Sequence, residues 1–184
     1  MNFSLIDDMT SGTIENYIVP GLRSQLLGAS EFGKVRMFAI DRDQQECVTP
    51  HSHRYDLQCI VLAGEVHNTI WTPRNEEGDE YAVSELHYDG KPGAYTPSST
   101  YLEAKRFIQR TRQYHSGQSY YMKHDEIHSI RFLCGARVLV LEGPEKSKVS
   151  QILEPIVMGF RVASFSVEPW MFVRHPGPPT LVTP

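Results

Sequence analysis

Cysteine is scarce in this chain and nothing pairs it. Cys47, Cys59 and Cys134 are the only three among 184 residues, and no two of them stand as C-x-x-C. An odd, scattered set reads as free thiols in a reducing compartment rather than as a disulfide framework. Long apolar runs are missing as well. No stretch approaches a membrane span, and the first residues, MNFSLIDDMTSG, are acidic where a signal peptide would be basic and apolar. A strong charge of either sign is also absent, with a net charge of −4 and a pI near 6.0. The balance suggests no polyanionic partner. The locally basic or mixed runs KRFIQRTR (105–112) and EKSK (145–148) read as solvated strand faces. No G-x-x-x-x-G-K-[ST], G-x-G-x-x-G or G-x-S-x-G occurs, so nucleotide binding and serine hydrolysis have no support. These absences predict a soluble, cytoplasmic domain with no nucleic acid and no membrane as partner.

What is present is ordinary for a globular protein: 40% hydrophobic and 22% charged residues. The length suits one domain with a real core. From about residue 34, KVRMFAI, EVHNTIWTP, EYAVSELHYDG, SYYMKH, HSIRFL and ARVLVLEG are short, rich in Val, Ile, Tyr and Phe, and bounded by turn residues. Many short strands at this spacing predict an all-β sandwich or barrel. One or two short helices are predicted in the first thirty residues, over IENYIVPGLRSQLLGAS, and a second helical candidate is KSKVSQILEPIVM, interrupted by Pro155. Residues 169–184 carry Pro169, Pro176, Pro178, Pro179 and Pro184 and read as an extended arm. The expected organisation is one domain over 1–184: a helical or irregular addition at 1–33, a barrel core at 34–145, and C-terminal strands with the proline-rich arm at 146–184.

Two histidines one residue apart, His51 and His53, open the run HSHRYDLQCIVLAG, and His128 sits in GQSYYMKHDEIHSIRF. On an extended strand alternate side chains share a face, so His51 and His53 project side by side. Imidazole is a common ligand for iron, nickel, copper and zinc, and three of them leave positions open for water or substrate.

These residues and their spacing resemble the cupins, whose motifs are G-x5-H-x-H-x3,4-E-x6-G and G-x5-P-x-G-x2-H-x3-N. His51 and His53 fill the paired positions, and Ile60 to Gly64 matches the strand and closing glycine. Gly117 precedes His128 by the interval of the second motif. The resemblance covers roughly residues 45 to 135 and implies a double-stranded β-helix barrel. Departures accompany it: Gln45 replaces the first glycine, Lys123, Asp125 and Phe132 stand at the Pro, Gly and Asn positions, and Leu57 stands at the glutamate. Leu57 cannot ligate a metal; a one-residue bulge would bring Gln58 there instead. A three-histidine set without the carboxylate is similar to that of the thiol dioxygenases. That likeness implies a divalent metal, Fe(II) first with Ni, Zn, Mn or Cu as alternatives, and a dioxygenase acting on a small thiol or similar bidentate substrate. Other readings are a non-catalytic module holding a metal or small ligand, and a sugar isomerase or epimerase. A homodimer is the family's default.

Strand parity extends the site. Leu57, Cys59 and Val61 share a face, with Cys59 read as a buried structural thiol. His128, Ile130 and Phe132 share another, giving an apolar and aromatic wall. Tyr120 and Tyr121 are the candidates for presenting a phenol to substrate, and Arg36 is a conceivable partner for a substrate carboxylate. HDEIH (124–128) resembles the H-E-x-x-H of zinc proteases but has Glu126 one position late, and a turn is expected between its histidines. His67, after the glycine turn on EVHNTIW, reads as an exposed strand histidine, with the pocket rim as the alternative. His87, His115 and His175 have no partner spacing and read as surface residues.

Overall fold

The computed structural model describes residues 12–30, 33–88, 95–97 and 103–156. The proline-rich arm at 169–184 and residues 1–11 lie outside them. Twelve strands follow in chain order: β1 (Thr13–Ile14), β2 (Leu22–Ser30), β3 (Gly33–Ile40), β4 (Tyr55–Ala63), β5 (Glu65–Arg74), β6 (Asp79–Tyr88), β7 (Tyr95–Pro97), β8 (Glu103–His115), β9 (Ser119–Met122), β10 (Ile127–Phe132), β11 (Arg137–Glu145) and β12 (Val149–Pro155). No helix occurs among the described residues. One sheet runs β1-β2-β3-β11-β4-β9 and the other β10-β5-β8-β6-β12, with β7 on β6.

From β3 onward the chain alternates between these sheets, except that β5 to β8 all stay in the second. It passes from β3 to an extended segment at 50–53 beside β10, then to β4, β5, β8, β9, β10 and β11. That winding is the double-stranded β-helix of the cupin type. Its core draws on both sheets: Leu57, Val61 and Val138 from the first meet Val66 and Phe132 from the second. Period-two burial drives it. On β4, Leu57, Cys59 and Val61 are buried while Leu62 between β4's inward positions is 47% exposed. Each large apolar side chain removed from water contributes about 1.5–3 kcal/mol, so a register slip by one residue would forfeit the whole set. Gly64 turns β4 into β5 at φ +69°, where an added Cβ would lie 2.8 Å from the Ala136 backbone. That closeness, with the left-handed backbone, accounts for glycine at the end of the first motif.

The helices predicted near the N-terminus are strands. Pro20 and Gly21, the latter at φ +79°, break any helix through residues 14–21. Beyond them Leu22 and Ser24 are fully buried while Arg23 is exposed, and the backbone pairs with β3 from Leu22↔Ile40 onward. KSKVSQILEPIVM is likewise a strand as far as it is described as an element. β12 pairs with β6 over Val149–Pro155, Leu153 is fully buried, and Pro155 marks its end. In both places sheet pairing overrides a marginal helical pattern.

The second sheet has an additional property that positions the site. His51 exchanges both backbone hydrogen bonds with His128, at 2.9 Å each, and Ser52 N–H and Leu153 N–H bond to the carbonyls of Gln151 and Pro50. The Pro50–Ser52 segment thereby joins β12 to β10 and closes the second sheet into a ring. A separate apolar cluster fills that ring: Val83, Phe107, Ile127 and Leu153 with Trp71 and Tyr81 against them. Strands β5 and β10 therefore have a buried face on either side. Ile127 and Trp71 face the ring cluster, whereas His128 and Asn68 face the barrel.

Candidate metal centre

His51 and His128 form a hydrogen-bonded antiparallel pair, which sets their side chains side by side on one face. His53, two residues along the same extended segment, joins them; its N–H bonds to the His124 carbonyl at 2.9 Å. The three rings lie with centroids 4.9–5.0 Å apart. Each offers one ring nitrogen, and those three atoms fall within 4.8 Å of one another. His51 and His128 are buried and His53 is half-buried.

Two acceptors set the tautomers. His51 Nδ1 lies 2.8 Å from the Thr49 carbonyl oxygen, and His128 Nδ1 lies 2.7 Å from Asn68 Oδ1. An oxygen acceptor requires a proton on Nδ1, so both rings carry their lone pair on Nε2. His128 Nε2 is 2.9 Å from His53 Nε2. A donor set of neutral imidazoles with converging nitrogens and oxygen acceptors behind two of them fits a borderline divalent metal. The described cluster includes no carboxylate. Leu57 is buried at the motif's glutamate position, and β4 pairs with β9 without a break through Leu57↔Met122, Gln58↔Tyr121 and Cys59↔Tyr120. No bulge turns Gln58 inward there; its amide bonds to the Tyr120 carbonyl instead.

Burial is the leading cause that lowers the pKa of all three histidines, with mutual repulsion adding to it at His53 and His128. They are neutral at pH 7, the form that ligates. The linkage has a definite sign. An unfolded chain would protonate these rings near the ordinary value of 6.5, whereas the folded protein would not. Stability is therefore full above that value and lost as pH falls through it, by up to about 1.4 kcal/mol per pH unit for each ring. Urea unfolding of metal-free protein should show falling stability between pH 7.5 and 5.5. The carboxylates held low by their partners, such as Glu46 beside Arg42, titrate below that window. Stability that stays level across it would contradict the burial of these rings.

The two tyrosines separate. Tyr120 is buried and stacks on Tyr114 at 4.4 Å between centroids. Its hydroxyl has no regular hydrogen bond, only the Cys59 thiol beside it, and burial pushes its pKa well up. Burial likewise pushes the Cys59 thiol up to about 12, in keeping with an inert structural cysteine. Tyr121 lies on the opposite face of β9, 55% exposed, and donates to Asp56. Arg36 faces the barrel but is held by Glu142 at 2.9 Å. A turn at 124–125 separates His124 from His128, as expected for HDEIH, and His124 meets Asp56; His67 and His115 meet Glu65, and His87 meets Glu85. His175 lies outside the described residues. Sequence reasoning missed Asn68 and the Thr49 carbonyl. The signal for Asn68 was an amide on the inward parity of EVHNTIW, between Val66 and Ile70.

No family model matches the chain, and no curated protein does. Among solved structures it is similar to KdgF from Halomonas sp., at 16% identity over 77% of this chain and 94% of that one, with a TM-score of 0.44. An RmlC-like cupin from Shewanella frigidimarina gives 15% identity over 77% and 95%, with a TM-score of 0.43. The polyketide cyclase RemF from Streptomyces resistomycificus gives 15% identity over 91% of each chain, with a TM-score of 0.44. The fold assignment stands on the strand order and on the alternation of the chain between its two sheets. That order and the histidine cluster define a double-stranded β-helix barrel with a three-histidine cluster. Among the described residues no helix is long and apolar enough to cross a membrane.

Proposed function

We propose that the barrel holds one divalent metal through His51, His53 and His128, with Fe(II) as the working ion, and catalyses dioxygenation of a small thiol or similar bidentate substrate. The observation that carries this reading is the convergence of three neutral imidazoles within 4.8 Å and no carboxylate among them. When bound, the metal would supply positive charge and redox chemistry toward a small anionic substrate and dioxygen. With a thiolate the reaction balances as RS⁻ + O2 → RSO2⁻, both oxygen atoms ending on sulfur. The protein's own residues do the positioning. Thr49 and Asn68 hold two rings in the ligating tautomer, and the strands under His51 and His128 fix their directions. Leu57, Met122 and Ile130 keep much of the adjoining inner surface apolar. The thiol itself is suggested by the likeness of the three-histidine pattern to the thiol dioxygenases.

The test is metal analysis of the purified protein followed by oxygen uptake with cysteine, cysteamine and a diketone after ferrous loading. One oxygen consumed per thiol, with a sulfinate product, is the expected result. Stoichiometric metal without uptake on any substrate would overturn the oxygenase and leave a metal- or ligand-binding module. Uptake with the diketone alone would replace the thiol by a carbon substrate.

A further inference from the structure

The barrel's inner face carries two arginines, Arg110 and Arg112, that no partner among the described residues neutralises. On β8 the inward side is marked by Tyr114, which stacks on Tyr120 of the opposite sheet. The outward side is marked by Phe107, buried in the ring cluster, and by Thr111, whose hydroxyl meets that of Thr69. Alternation therefore puts Arg110 and Arg112 on Tyr114's side. The register fixes their neighbours. Arg112 lies opposite Asn68 and Arg110 opposite Ile70 on β5. One strand further, Asn68 lies opposite Ile130 and Ile70 opposite His128. Arg110, Ile70 and His128 thus form one row across the sheet, two strand spacings or about 10 Å in all. Arg112 stands beside the amide that orients His128.

Both arginines are exposed although they share a face with buried His128 and Asn68, so the barrel is open along β8. Of the other guanidinium groups, Arg36 meets Glu142, Arg42 meets Glu46, Arg54 meets Glu145 and Arg137 meets Asp41, whereas exposed Arg131 on β10 has no ion pair among the described residues. Among the described residues Arg110 and Arg112 have no ion pair and no side-chain hydrogen bond. Two like charges at i and i+2 on one strand face repel, and an anion between them would relieve that repulsion. Guanidinium forks match the oxygens of carboxylate and of phosphate or phosphonate. We propose that Arg110 and Arg112 form an oxyanion-binding pair at the mouth of the barrel. Their ligand is the anionic tail of a small substrate whose other end reaches the three histidines. This second clause rests on the metal reading; the oxyanion pair itself does not.

The test uses metal-free protein, so a failed metal site leaves it standing. Succinate, inorganic phosphate and the neutral isostere succinamide are titrated at low ionic strength while the arginine Nε–H and backbone amide resonances are followed. Succinate and phosphate should shift Arg110 and Arg112 saturably, and succinamide should not. In the R110A/R112A variant the affinity for both anions should fall at least tenfold, with the spectrum elsewhere unchanged. R110K/R112K should recover part of it, and R106A should behave as wild type. Binding in the wild type should weaken as salt is raised, since the pair is exposed. An absence of saturable shifts in wild type, or wild-type affinity in R110A/R112A, would overturn the proposal.

Discussion

Alanine at His128 is expected to remove metal binding, lowering affinity about 100-fold or more while the barrel stays folded. The magnitude follows from what structural sites gain in all, about 10–16 kcal/mol over four ligands, so one ligand accounts for a few kcal/mol. The fold should survive because β10 is held by backbone bonds. His128 exchanges N–H and carbonyl with His51, and the strand pairs with β5 from Ile127↔Trp71 to Phe132↔Val66. None of these needs the imidazole. Removing it also frees Asn68 Oδ1, whose partner it was. His51→Ala should act alike, since His51 is the other member of the bridge. His115→Ala is the control, because that ring is exposed and meets Glu65 rather than the cluster. Calorimetric titration with cobalt(II) or zinc, beside a thermal melt of each variant, distinguishes lost ligation from lost folding. Retained affinity in both H51A and H128A would remove these residues from the ligand set.

The second large effect falls on a residue that touches no metal. Asn68→Ala should weaken metal affinity by about 10- to 100-fold, the range found when the group behind a ligating histidine is lost. Asn68 is 3% exposed and accepts from His128 Nδ1 at 2.7 Å, while its amide reaches Met122 Sδ at 3.4 Å. Without it the buried Nδ1–H has no acceptor, a cost of about 1–3 kcal/mol. The ring would then rotate or shift its proton to Nε2, which is the ligating atom. Asn68→Asp preserves an acceptor and should retain much of the affinity. A chelator competition assay reads both variants. Equal affinity in wild type and N68A would mean that His128 is oriented by packing alone.

How much of this could be read from the residues varies from element to element. His51 and His53 declared themselves by spacing, and His128 by its interval from Gly117, because strand period and ring chemistry are local properties. The missing carboxylate was equally legible, since Leu57 is the residue that counting from Gly64 reaches. Asn68 was hidden, for its role depends on β5 lying beside β10, and no short-range pattern encodes a cross-strand neighbour. The N-terminal helices failed for the same reason. LRSQLLGAS has residues a helix accepts, and what makes it a strand is the edge of β3 waiting for a partner. The ring closure through Pro50–Ser52 is more distant still, as it joins residues about a hundred positions apart. KRFIQRTR is mostly the solvated face its composition suggests, with Phe107 buried; what composition could not give is the register that places two of its exposed arginines on the barrel side.

The central claim is that three neutral histidines on a β-barrel make one metal site. Titration of the metal-free wild-type protein with cobalt(II), followed by its visible absorption, tests it most directly. The expected result is a saturable spectrum with an end point at one equivalent per chain, abolished in H128A. Absence of a saturable spectrum, or the same one-equivalent end point in H128A, would contradict it.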